Sequence, residues 1–307
     1  MTILEVIRRS TDFLTERGVE SPRLQVELLL SHVLKLPRLK LYLQFDRVLT
    51  GAELDPLREL VKRRGQREPL QHLTGSAGFL GHELKVTRDV LVPRPETEVL
   101  AQLALAKLAE ARGSAEPAAA VRVLDFGTGS GCLAIALAAG CPEAEVHALD
   151  KSPAALSIAR ENAAGNQVAA RITFHEGDGF AALAQPSPFD LIVTNPPYIP
   201  SAEIATLDPE VREFDPRLAL DGGADGLDCY RMLAAQAGAW LKPGGWLLTE
   251  LGDGQAMATK MLFEAHGWLI EGVEKDLSGR ERVLIVRRPL NQVGLSQFSD
   301  SVLSGQR

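Results

Sequence analysis

The sequence predicts an α/β protein: a mostly parallel sheet with helices on both faces, preceded by a small helical bundle. Three observations carry this expectation. From Val121 onward, short apolar runs alternate with helix-like stretches, the rhythm of parallel strands joined by crossover helices. A glycine-rich turn follows the first of those runs, at residues 127–131. Ahead of them, residues 1–68 carry helical rather than strand periodicity.

The elements follow in order. Ile3, Val6, Ile7, Phe13 and Leu14 fall on one helical face. Ser21 before Pro22 reads as an N-cap with proline at the first helical position, opening a helix that runs through Leu28, Leu29 and Leu30 to about Leu36. Thr50 and Glu53 have capping-box spacing ahead of a third helix near 53–66. Residues 69–92 change character: Gly75, Gly78 and Gly81 punctuate short β-rich runs, which predicts a hairpin linker. A helix is expected over 95–112 and a flexible connector over 113–120. Strands are expected at 121–126, 144–150, 171–176, 189–194, 244–250, 268–274 and 281–287. The polar residues from Pro289 show no period and read as a loosely ordered tail. The expected domains are therefore a helical, substrate-docking 1–68, a linker 69–92, a main domain 93–288 and a tail 289–307.

Charge and composition narrow the partners. The net charge of −7 speaks against non-specific nucleic-acid binding. Residues 1–82 nevertheless carry 13 Lys/Arg against 10 Asp/Glu, so a mildly basic front precedes an acidic body, which suits a protein partner. Cys132, Cys141 and Cys229 are widely spaced and odd in number, as expected of reduced thiols in the cytoplasm. The six histidines lack ligand spacing, so no metal site is expected. Neither a signal peptide nor a membrane span is expected, and the chain is expected to act as a monomer.

The run VRVLDFGTGSGCLAIALA, opening at Val121, is a strand, a turn and a helix. Gly127, Gly129 and Gly131, with Thr128 and Ser130 between them, let the backbone turn tightly and approach a ligand. The third glycine comes one residue too early for a dinucleotide fingerprint, and no lysine follows to make a P-loop. The next strand, EVHALD, ends on Asp150, whose carboxylate is placed to accept both hydroxyls of a ribose, although an acid there can also simply lead the following helix. Asp178 after the third strand is a candidate acceptor for an adenine amino group, or an ordinary Asp-Gly turn. An adenosyl ligand without a pyrophosphate satisfies this set.

The fourth strand, FDLIVT, runs directly into Asn195-Pro196-Pro197-Tyr198. Ligands in open α/β sheets sit beyond the carboxyl ends of strands, so this tetrapeptide lies where chemistry is expected rather than in a rigid surface turn. The prolines stiffen it. The Asn195 side-chain carbonyl and the Pro196 main-chain carbonyl are two fixed acceptors for the hydrogens of a planar NH2 group, and Tyr198 offers a ring face. Accepting those hydrogens favours positive charge developing on a poorly nucleophilic nitrogen.

With these residues in view, the chain resembles the HemK/PrmC family, the protein-(glutamine-N5) methyltransferases of class-1 peptide-chain release factors. The similarity covers about residues 1–288 and includes SPRLQVELLLSHVL (21–34), PLQHLTG (69–75), LVPRPETE (91–98), FGTGSG (126–131), NPPYIP (195–200), FDPRLALDGGADGL (214–227), LLTELGDGQ (247–255) and DLSGRERVLIV (276–286). The resemblance implies a class I methyltransferase domain with a seven-stranded Rossmann-like sheet. It implies S-adenosyl-L-methionine as cofactor, leaving as S-adenosyl-L-homocysteine, in contact with the glycine turn, Asp150 and Asn195. It also implies that Asn195 to Tyr198 hold the glutamine of a Gly-Gly-Gln loop. The run Pro93-Arg94-Pro95-Glu96-Thr97-Glu98 narrows the choice to the release-factor branch, since the sister family acting on a ribosomal-protein glutamine usually has Ser after Pro-Arg. Arg94 and Glu98 are expected to brace the linker against the site. The chain departs from the family pattern at His72, often Tyr, and at Gly179, often Trp; Phe180 is expected to replace part of that aromatic wall. An adenine-N6 methyltransferase of DNA or RNA uses a similar tetrapeptide on a flipped base but calls for a basic groove. A non-catalytic adaptor is disfavoured by the intact Gly127, Asp150 and Asn195–Tyr198.

Overall fold

Apolar residues on both faces of each central strand dictate a sheet covered on both sides. In β3 (Arg122–Phe126), Val123 packs into one core while Leu124 and Phe126 pack into the other. In the last strand, β9 (Glu281–Arg287), Val283 and Ile285 face one core and Leu284 and Val286 the opposite one. The computed structural model describes residues 1–114, 120–183 and 188–290. Most of the expected 113–120 connector and nearly all of the expected 289–307 tail lie outside them.

Five strands run parallel in the order β5 (Ile172–Glu176), β4 (Glu145–Asp150), β3, β6 (Phe189–Thr194), β7 (Leu241–Glu250). β9 then adds antiparallel to β7, with β8 (Leu269–Lys275) antiparallel at its outer edge. Only residues 276–280 join β8 to β9, too few for a crossover helix, so this pair closes as a hairpin. This is a seven-stranded, Rossmann-like sheet, as the resemblance implies. On one face pack α6 (Pro95–Ser114) and α7 (Cys132–Gly140), with Leu100, Leu108, Leu133 and Leu137 buried against the sheet. On the other pack α9 (Asp228–Gln236) and α10 (Ala256–Ala265), through Tyr230, Leu233 and Phe263. The chain order reverses between β3 and β6, which opens a crevice at their carboxyl ends.

In front of the sheet lie α1 (Ile3–Glu16), α2 (Pro22–Leu34), α3 (Arg38–Tyr42), α4 (Gly51–Gly65) and α5 (Leu70–Thr74), around a separate core that includes Ile3, Leu14, Leu29, Leu30 and Leu57. Glu53 closes back on Thr50 at the start of α4, accepting its backbone N–H at 2.9 Å. Two local expectations are corrected. Ser21 precedes α2 in a left-handed conformation (φ 46°), and its side chain makes no capping bond. The linker does not begin as a hairpin: Leu70 and Leu73, three apart, drop into the bundle core and wind α5 after Pro69. The hairpin itself is β1 (Ser76–Phe79) with β2 (His82–Lys85). Ala77 and Val86 of this region pack on Ala155 and Ile158 of α8 (Pro153–Gly165), which ties the hairpin to the sheet domain. Among the described residues, no helix is long and apolar enough to cross a membrane.

Candidate active site

A cavity of about 400 Å³ opens at the carboxyl ends of β3, β4 and β6, within the usual range for a small-molecule site. Gly127, Thr128, Gly129, Ser130, Asp150, Asp178, Gly179, Asn195 and Pro197 line it. The fold thus brings the glycine turn, the β4 acid and the β6 asparagine to one place.

The turn is held from beneath. Asp125, fully buried in β3, accepts from Thr128 Oγ1 at 2.6 Å and from the Ala134 backbone at 3.0 Å. Gly127 and Gly129 are left-handed (φ 76° and 54°), and a Cβ added to either would meet nothing within 4 Å, so both leave room for a ligand against the backbone. Gly131 differs. Its φ is 84°, and an added Cβ would come within 3.2 Å of Ala159 Cβ, so this glycine lets α8 approach and does not line the cavity. Asn162 of α8 bonds the Ser130 carbonyl (2.8 Å) and both backbone groups of Lys85, linking turn to hairpin. Each oxygen of Asp150 accepts one backbone hydrogen, from Gly129 (2.8 Å) and Ser152 (2.9 Å). A carboxylate has about four acceptor sites, so capacity remains for two hydroxyls.

At the far end, Asp178 is exposed on the cavity wall and Gly179 is left-handed (φ 68°) with open space where a side chain would begin. The expectation for Phe180 is corrected. Its ring is buried between Phe126 (centroids 4.9 Å apart) and Trp240 (5.8 Å), part of the core under the cavity and not a wall of it. A 3₁₀ turn over Gly179–Ala182 aims this apolar ring inward.

Asn195 follows β6 directly. Its Nδ2 donates to Thr97 Oγ1 (3.2 Å), whereas its Oδ1 is buried without a partner. A buried unsatisfied acceptor costs about 1–3 kcal/mol, so one on a cavity wall marks a place for a donor. Pro196 and Tyr198 do not line the cavity. Tyr198 instead packs its ring against the core and directs its hydroxyl to Glu250 Oε1 (3.3 Å), while its carbonyl accepts from Gln255 Nε2 (2.8 Å). The motif gives its position along the chain, but the direction of the ring is set by the neighbouring strand end. Glu250, 1 % exposed at the end of β7, also accepts from Thr97 Oγ1 at 2.6 Å.

The stretch after the tetrapeptide adds Pro216, Leu218 and Ala219 to the wall. It is clamped from three sides. Glu210 pairs with Arg64 (2.8 Å) and Arg67 (2.5 Å) of the bundle. The Arg88 guanidinium stacks on Phe214 at 4.5 Å. Arg94 pairs with the buried Asp215 at 2.6 Å. Glu98 accepts from the Leu80 backbone in the hairpin turn (2.9 Å). His72 lies half-buried, its ring centroid 6.4 Å from that of Phe214, away from the cavity lining.

Burial pushes the Asp125 carboxyl up from 3.8 to about 7, against the hydrogen bonds from Thr128 and Ala134. It does the same to Glu250, from 4.5 to about 7, opposed by the Thr97 bond, the Arg282 charge and the Tyr198 bond. A carboxyl whose pKa rises on folding binds its proton more tightly in the folded chain. Folding stability is then greatest below the unfolded values and declines as pH rises towards 7. Melting curves between pH 5 and 8 should show this decline, with a shallower slope in Asp125→Asn; equal slopes would remove Asp125 as a source.

Residues 5–75 match the family described as the PrmC N-terminal domain, and residues 101–207 match the methyltransferase small domain. The chain is similar to the release factor glutamine methyltransferase of Geobacter sulfurreducens, at 46 % identity over 92 % of this chain and 95 % of that one. The corresponding protein of Deinococcus radiodurans is 46 % identical over 94 % of this chain and 99 % of its own length. Among solved structures, a methyltransferase from Pyrococcus furiosus shares the fold, with a TM-score of 0.50 and 18 % identity over 68 % of this chain and 90 % of that one.

Proposed function

The chain belongs to the release factor glutamine methyltransferase family, and on that premise we propose that its cavity methylates the side-chain nitrogen (N5) of the glutamine in the Gly-Gly-Gln motif of class-1 peptide-chain release factors. The observation that carries this is the unpartnered, buried Oδ1 of Asn195 at the carboxyl end of β6. A primary amide supplies the donor that this oxygen lacks. That bond aims the nitrogen into the cavity and stabilises the positive charge that grows on it as the new bond forms. In-line placement supplies much of the remaining rate. The proton is released after transfer, so a strong base is not required.

S-adenosyl-L-methionine, when bound, supplies the methyl group from its sulfonium. The residues present fit it: the open glycine turn for backbone approach, the spare acceptor capacity of Asp150 for the ribose, and Asp178 for the adenine amino group. Asp150→Ala should lower cofactor affinity by about tenfold or more, because two hydroxyls lose a charged acceptor. Calorimetry checks this, and unchanged affinity would remove Asp150 from the site.

The helices of residues 1–68 we assign to docking the protein substrate. They expose Leu39, Tyr42, Leu43 and Val48, and the local charge balance is positive. The hairpin and residues 93–288 then form the linker and the catalytic domain. The function is tested by offering labelled cofactor with a purified class-1 release factor, a ribosomal protein and an adenine-containing duplex in parallel. Label is expected on the release factor; label on either of the others alone would overturn the assignment.

A further inference from the structure

We propose that Thr97, anchored on Glu250, is a positioning residue that fixes which atom of the Asn195 amide faces the substrate. This rests on the reading of Asn195 as the acceptor for the substrate NH2. The two strand ends set the geometry. β6 and β7 run in register with Thr194 opposite Thr249, so Asn195 and Glu250 emerge side by side one step later. Thr97, in the first turn of α6, lies over both.

A threonine hydroxyl has one hydrogen and two lone pairs. Thr97 gives its hydrogen to Glu250 Oε2 at 2.6 Å. What it turns to Asn195 is therefore an acceptor, and only Nδ2 can answer it, as it does at 3.2 Å. Rotating the amide would set Oδ1 against a lone pair and present Nδ2 to the substrate, where two NH2 groups would face each other. Glu250 holds Thr97 in this role in its ionised form, which prevails above pH about 7. It is buried, and its other oxygen takes the Tyr198 hydroxyl at 3.3 Å. Tyr198, which lies off the cavity wall, thus contributes through the same relay. Thr97 is itself only 2 % exposed, so water does not readily replace it.

Neither Thr97 nor Glu250 needs to touch the reacting atoms for this, which separates their effect from general damage. Thr97→Val keeps the shape and removes both hydrogen-bonding functions. It should lower kcat on release factor by roughly ten- to a hundredfold, the range set by leaving a buried amide hydrogen unpaired. Cofactor affinity should stay near that of the unaltered protein, and Thr97→Ser should recover most of the turnover. Glu250→Gln can still accept from Thr97 through its carbonyl and should lose less than Thr97→Val. In the double variant, Thr97→Val should add little to Asn195→Ala, since the group being oriented is gone. Melting temperature and cofactor binding are read for every variant, with Thr97→Ala replacing any valine variant that loses its fold. Unaltered kcat in Thr97→Val or Thr97→Ala, where Asn195→Ala is impaired, overturns the positioning role and leaves the site reading standing. Losses that multiply in the double variant overturn it too. Unaltered kcat in Asn195→Ala overturns the site reading and this inference with it.

Discussion

Replacing Asn195 by alanine should cut turnover on release factor by about a hundred- to a thousandfold, the range for losing one oriented hydrogen bond worth about 2.7–4 kcal/mol in a transition state. The substitution removes the buried Oδ1 that now lacks a partner and strands the donor bond to Thr97. Asn195→Asp separates two contributions. It retains an acceptor for the substrate hydrogen, which argues for some activity. Yet it turns a carboxylate oxygen towards a Thr97 lone pair and brings a second carboxyl group near Glu250. Its charge would also attract a bound sulfonium and deepen the ground state. Turnover should therefore fall in both variants, furthest in alanine. Steady-state kinetics at saturating substrate and cofactor provide the check, and near-normal turnover in the alanine variant means the active site lies elsewhere.

The second large effect is expected from removing the bundle. A chain beginning at Ser76 keeps β1 and β2; Ala77 in β1 and Val86 just after β2 pack on Ala155 and Ile158 of α8. A cut nearer residue 85 would unpair this hairpin and expose that contact. The shortened chain loses the Arg64 and Arg67 pairs to Glu210, so one of the three clamps on the cavity wall is released. It should still bind cofactor, because the glycine turn, Asp150 and Asp125 all lie beyond it. On intact release factor, kcat/KM should drop by about a hundredfold or more, the usual gain from a second docking module on the same chain. A short Gly-Gly-Gln peptide should feel the loss far less. Equal activity on intact release factor would remove the bundle from substrate docking.

The strands and their order of appearance were legible because each central strand is apolar on both faces, and the glycines because positive φ at 127 and 129 leaves little choice of residue. Asp150 and Asn195 were legible for a topological reason: both end parallel strands, where α/β sheets open their crevices. What stayed hidden has a common cause. The Thr97–Glu250 bond spans 153 positions and joins a helix start to a strand end, and no local pattern encodes such a pairing. An acid closing the apolar run LLTE was the available signal for Glu250. Phe180 and Tyr198 show the complementary error. A motif locates a ring along the chain, but the core decides which way it turns, and both rings pack inward. Ser21 has the right identity for a cap and the wrong backbone, with φ at 46°.

Asn195 Oδ1 is expected to receive the hydrogen of a substrate amide. A crystal structure of the protein with S-adenosyl-L-homocysteine and a Gly-Gly-Gln peptide measures this directly. The glutamine nitrogen should lie about 2.7–3.2 Å from Asn195 Oδ1, with Asn195 Nδ2 still on Thr97. A glutamine bound with its carbonyl oxygen towards Asn195, or seated outside the cavity, would contradict the account.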